Sequence, residues 1–259
     1  KRLSAILDEA EAYGRAIGKL NFDMECCAPE EGMEQAGDDM ALLGKHIHAL
    51  THSPEYAALV GELHADGEGL SFAQRKTVEH LWERYEKGKN ITEEFDHAWS
   101  VAANRAYGKW LAAKKASDFS LFRDSLAEVV DFTRKAIDLR DEKPATYYNA
   151  CLDDTEKGGS EAQMDAFFGA LKERIVPLMR RIQAEGKPIR EDFLTRPCPI
   201  PEQERFSHYL LEAEGLRKSA LVLMTTEHPF TTEFGPHDVR VTTHYFEDNF
   251  ISNIFSSLH

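Results

Sequence analysis

The 259-residue chain carries 31 Lys and Arg against 45 Asp and Glu, a formal net charge of −14. So acidic a chain disfavours nucleic acid, whose phosphates need Lys and Arg to displace counterions; the bland reading is a solvated, self-repelling exterior. No run of 18 apolar residues offers a helical membrane span, while 42% hydrophobic residues suffice for a sizeable core. Four cysteines, Cys26, Cys27, Cys151 and Cys198, form no Cys-x-x-Cys pair, and the adjacent Cys26 and Cys27 are badly placed to bridge each other. A reduced, cytoplasmic setting is the expectation. The chain starts at Lys1 in an amphipathic segment rather than a signal peptide and stops abruptly, so a fragment of a longer protein is expected.

Leu3, Ile6, Leu7, Ala10, Tyr13, Ile17 and Leu20 share one face and predict a helix over 3–21. Phe22 to Gly32 reads as a break. Helix resumes near Met33, and Met40, Leu43, Ile47 and Leu50 form a short coiled-coil-like seam. Ser53 before Pro54 starts the next helix, Ser as N-cap and Pro in the first turn. Residues 65–69 read as a loop, and Ser71 with Gln74 has capping-box form. Thr92 caps a helix whose small alanines alternate with Phe95, Trp99 and Trp110; another helix begins near Asp118. Residues 141–159 read as a polar connection. Ser160 with Gln163 repeats the capping pattern, ahead of a helix carrying Met164, Phe167, Phe168, Leu171, Ile175, Leu178 and Ile182, with Pro177 expected to kink it. Prolines make 192–201 irregular, and a helix from Pro201 is expected to run through Leu223 toward His228. The expected fold is mainly α: one α-rich domain over 1–259, with a helical hairpin subdomain at 1–64 and one strand near 239–245.

The last stretch carries the chemistry. His228-Pro229-Phe230 stops a helix, because Pro229 cannot continue one. Val239, Val241 and Tyr245 alternate with Asp238, Arg240, Thr242 and His244, as in a half-buried strand. Phe250, Ile251, Ile254, Phe255 and Leu258 then recur at helical spacing, and His259 is last. These residues resemble the thermostable (Taq-type) metallocarboxypeptidases, zinc exopeptidases of the His-Glu-x-x-His class. The family's His-Pro-Phe motif matches 228–230, its Asp-x-Arg-x-Thr motif matches 238–242, and His259 matches the first His of the zinc motif. Weaker similarity includes Asp153-Asp-Thr-Glu-Lys-Gly158. The resemblance covers about the first half of a family member.

The resemblance implies a multi-helix, groove-forming peptidase that removes single residues from peptide C-termini by metal-activated water. It implies zinc, with cobalt as the alternative, peptide substrates with a free C-terminus, and a homodimer. His259 would be a ligand, with His228, Phe230, Asp238, Arg240 and Thr242 around the site. The general-base Glu and the other ligands would lie beyond residue 259, so the isolated chain is expected to be inactive and to bind no metal stably. A non-catalytic helical scaffold or interaction module is the alternative. Read from the residues, Asp238, Arg240 and Thr242 share one face of an edge strand that could hold an extended peptide. Arg240 could grip a peptide C-terminus or pair with Asp238, Glu233 or Glu247. His244 and Tyr245 are weaker candidates for oxyanion donors. His46, His48 and His52 are a rival metal cluster, expected on the solvated side of their helix.

Overall fold

The computed structural model describes residues 1–258. They fall into two compact units: Lys1–Asn21 with Glu30–Glu185, and Phe22–Pro29 with the residues from Gly186 onward. Among the described residues there are ten α-helices and one three-stranded sheet, so the mainly α expectation holds.

In the first unit, α1 (Arg2–Cys26), whose residues from Phe22 onward count with the second unit, is followed by α2 (Met33–Thr51), α3 (Pro54–Ala65), α4 (Phe72–Gly88), α5 (Glu93–Ala116), α6 (Ser120–Asp138), α7 (Tyr147–Thr155) and α8 (Glu161–Glu185). The helix starts follow the sequence signals. Ser53 accepts from Tyr56 N, Thr92 accepts from Phe95 N, and Ser71 and Gln74 complete a reciprocal capping box. Helix packing uses small residues at close crossings. The Cα of Gly37 faces α5 so closely that a Cβ there would stand 3.2 Å from Asn104 Cβ, and Asn104 donates to Gly37 O. Val60, Ala102 and Ile137 are among the most deeply buried apolar side chains.

Two expectations about this stretch are corrected. The break expected at Phe22 begins only after Cys26, because Phe22 and Met24 are buried and keep the last turns of α1 in the helix. The 141–159 connection contains α7. That helix is short, polar and buries only Ala150, so it has no apolar stripe to announce it. What fixes it is a pair of clips. Thr146 caps α7 by accepting from Asn149 N, and Lys87 on α4 reaches Asp153 at 2.7 Å and Asp154 at 3.0 Å. The turn after α7 closes through Gly158, whose N–H donates to Asp153 at 2.8 Å and whose φ of 82° suits glycine. Pro177 lies within α8, which runs on past it.

The second unit is built on α9 (Ile200–Ala213), β1 (Leu221–Thr225), β2 (Thr231–Gly235), β3 (Asp238–Thr243) and α10 (Phe250–Leu258). Strand order is β1-β3-β2, with β1 parallel and β2 antiparallel to β3. The helix expected to run to Leu223 ends at Ala213. Gly215, at φ 91°, turns the chain out of α9, and the apolar run beyond it pairs as β1 instead. The single strand expected at 239–245 is therefore one of three. It ends at Thr243 and lies in the middle of the sheet, not at its edge.

Candidate functional site

The central position of β3 changes its chemistry. Val241, Thr242 and Thr243 are all buried, so both strand faces are covered at that end and the half-buried alternation stops short. With neighbours on both sides, its main chain is occupied by β1 and β2 and cannot hold an extended peptide.

Thr242 is the pin of the His228-Pro229-Phe230 turn. Its N–H and its Oγ1 both donate to Phe230 O, at 2.9 and 2.8 Å, and Phe230 N–H donates to Oγ1 at 2.6 Å. A threonine with no exposed surface thus satisfies both main-chain groups of Phe230. The Phe230 ring meets Phe22 edge-to-face, with centroids 6.1 Å apart. Arg240 completes the cluster. Its guanidinium lies over Phe22 at 5.3 Å and over Phe234 at 5.8 Å, while Nε donates to Asp238 at 2.6 Å. Of the carboxylates open to it in the sequence, Asp238 is the one it takes, and that hydrogen bond raises the Arg240 pKa above its ordinary value. Phe230, Asp238, Arg240 and Thr242 therefore share one cluster, with His228 at its exposed end. Phe22 was absent from the sequence-derived set, since it reads there only as the start of a break between helices.

The opposite side of β3 leads to α10. Thr243 Oγ1 and Ser207 Oγ both stand 2.8 Å from Asn253 Oδ1, and Gln203 Nε2 donates to Cys198 O and Phe246 O. All four side chains are 2% exposed or less. This neutral network fixes α10, the helix that precedes His259, against β3 and α9. Asn253 and Ser257 stand four apart on the buried face of α10, a polar spacing hidden by the stronger apolar stripe. His259 itself lies outside the described residues.

His244 Nδ1 lies 2.9 Å from Thr226 O. A carbonyl only accepts, so Nδ1 carries the proton and Nε2 of the neutral ring is an acceptor. Neutral His244 therefore cannot give the oxyanion donor considered for it. Burial raises the Tyr245 pKa, despite a hydrogen bond with Ser207, so its phenol stays neutral.

The rival histidines do not converge. His48 and His52 stack with ring centroids 3.9 Å apart, and His46 stacks on Tyr13. Both nitrogens of His52 face main-chain carbonyls, His48 O and Gly88 O. The expectation that they lie on the solvated side fails for His48, whose side chain is only 10% exposed. The first unit also contains an open hollow of about 440 Å³ among α1, α2 and α5, lined by Gly14, Gly44, His97, Ser100 and Asn104 among others. None of the sequence-assigned site residues lines it.

The family profile described as carboxypeptidase Taq (M32) metallopeptidase covers residues 2–259. The chain belongs to that family. It is 31% identical over its whole length to Bacillus subtilis carboxypeptidase 1 and 30% identical over 96% of its length to the thermostable carboxypeptidase 1 of Thermus thermophilus. It spans 52% and 51% of those proteins. The BsuCP crystal structure matches 99% of the chain with a TM-score of 0.91 at 30% identity, using 52% of its own length. The Pyrococcus furiosus carboxypeptidase structure matches the whole chain at a TM-score of 0.83, with 29% identity, over 53% of its own length. Membership in a metallopeptidase family implies a divalent metal ion. Among the described residues no three His, Cys, Asp or Glu side chains are grouped to hold one. The described donors therefore do not make a metal site by themselves.

Proposed function

We propose that this chain is one half of a metal-dependent carboxypeptidase that releases single residues from peptides with a free C-terminus. Zinc is the proposed metal and His259 one proposed ligand. The general-base Glu and the remaining ligands are assigned to polypeptide outside this chain. A homodimer in the cytoplasm is the proposed working form, the setting supported by four cysteines that are all free thiols.

One observation carries the local part of this reading. The two family motifs are joined by hydrogen bonds, Thr242 pinning Phe230, while Arg240 is locked by Asp238 and two aromatic rings. In this reading the cluster is a rigid wall. Thr242 and Arg240 act as positioning residues, and His228 is the exposed group offered toward substrate. The test is C-terminal residue release by a protein extended to family length. Thr242→Val is expected to lower kcat about tenfold, as loss of a supporting hydrogen bond does, with KM little changed. Full activity of that variant would sink the positioning role, and residue release by the 259-residue chain alone would sink the assignment of the missing groups.

A further inference from the structure

The helix α8 is 25 residues long, about 37 Å, and buries none of them. Its ties to α7 sit at its N-terminal end, where Glu161 N–H donates to Asn149 and Thr146 donates to the Glu161 carboxylate, each at 2.7 Å. Beyond that end, large apolar side chains stand in water. Phe168 is 51% exposed, Leu178 50% and Ile182 56%. Exposure on this scale marks an interaction surface.

The spacing tells what shape fits. Met164, Phe168, Leu171, Ile175, Leu178 and Ile182 are alternately four and three residues apart along α8. A repeat of 3.5 keeps one seam turned toward a partner helix, whose side chains fill the holes between successive knobs. From residue 172 to the end of the seam, the positions flanking it carry Lys172, Arg174 and Arg181 and no acid. Two copies of α8 laid antiparallel would bring these cations together, which disfavours a second copy as the occupant. Family members supply another. The matched proteins carry almost as much chain again, and the BsuCP structure shares the backbone of 99% of this chain with 52% of its own.

We infer that the exposed seam of α8 is a docking site for a helix from the polypeptide that family members carry beyond the matched half. That helix has an apolar seam of the same period and acidic flanking residues. The inference rests on family membership and not on peptidase activity, which its test does not read.

The probe is the unmatched half of Bacillus subtilis carboxypeptidase 1, added as a separate polypeptide to the 259-residue chain and followed by light scattering. A one-to-one complex is expected. Leu178→Asp combined with Ile182→Asp should weaken it by about 30-fold or more, the scale of losing a buried anchor, whereas Glu173→Ala should not. Because α8 buries nothing in its own unit, the double variant should keep the circular dichroism and melting temperature of the parent chain. Three results would overturn the inference: no complex with the parent chain, a complex indifferent to the double variant, or a homodimer of the chain alone that the double variant dissolves.

Discussion

The polar contacts that tie helices to their neighbours differ in kind between the two units. In the first, α4, α6 and α7 are tied by charge: Lys87 to Asp153 and Asp154, and Arg140 to Asp154 at both ends of the guanidinium. These groups keep part of their surface in water, Lys87 at 28% and Arg140 at 16%. In the second unit, β3, α9 and α10 are tied by Thr243, Ser207, Asn253 and Gln203, all neutral and all buried. Charged pairs near water give up little when removed, because solvent takes over, while a buried neutral acceptor leaves its donors with nothing. Apart from the part-exposed Arg240–Asp238 pair, the wall that carries the family motifs is thus held by the less forgiving kind of bond.

The sharpest break of this contrast is Asn253→Leu. Thr243 Oγ1 would lose its acceptor at a fully buried position, while Ser207 Oγ keeps Gln203 O at 3.0 Å, and a destabilisation of about 3 kcal/mol is expected in urea unfolding. A loss near zero would show that the Thr243 hydroxyl finds another acceptor. Thr242→Val comes next, at about 2 kcal/mol, since Phe230 N–H keeps no acceptor while the shape is preserved. Its effect should not change with added salt. Lys87→Ala should be milder, about 1 kcal/mol, and should shrink at about 1 M salt, where screening is strong. If Thr242→Val were the salt-sensitive one, the comparison would fail.

The smallest effect is a pH dependence in the first unit. Burial, followed by the neighbouring His52, lowers the His48 pKa below its ordinary 6.5, although Asp96, Glu93 and Glu94 oppose the shift. Folding therefore favours the neutral ring. Its contribution is complete above the unfolded value and is lost as pH falls from there toward the folded value. Melting curves from neutral pH down to about 5 should show the parent chain losing more stability than His48→Gln. Parallel losses would mean that the buried ring plays no part. The Lys87 cluster has the same sign in a lower window: the Lys87 hydrogen bond, with the Gly158 N–H, holds Asp153 below the usual carboxylate range, so its help fades only in stronger acid.

Particular residues show how far the sequence could be read. Ser53, Ser71 and Thr92 announced their helices because an N-cap acts within three residues. The helix stop expected at His228 is instead a bend after β1, and the pairing of Arg240 with Asp238 was one of several options the sequence left open. Gly215 went unread as a helix stop, and only pairing with β3 makes the apolar stretch from Leu221 a strand. Phe22 entered the candidate site from far away in the sequence, through Phe230 and Arg240, which no local pattern encodes. His48 was misplaced because periodicity gives a face of α2 but not what covers it.

Sequence alone determined the helical character, the helix starts and the two family motifs, since capping, turn chemistry and side-chain period act over a few residues. The tertiary structure decided that β3 is central, that Thr242 and not the strand edge joins the motifs, and that Asn253 anchors the final helix. Those outcomes depend on pairing and burial between segments distant in the chain, where the free energy belongs to the contact and to neither segment by itself.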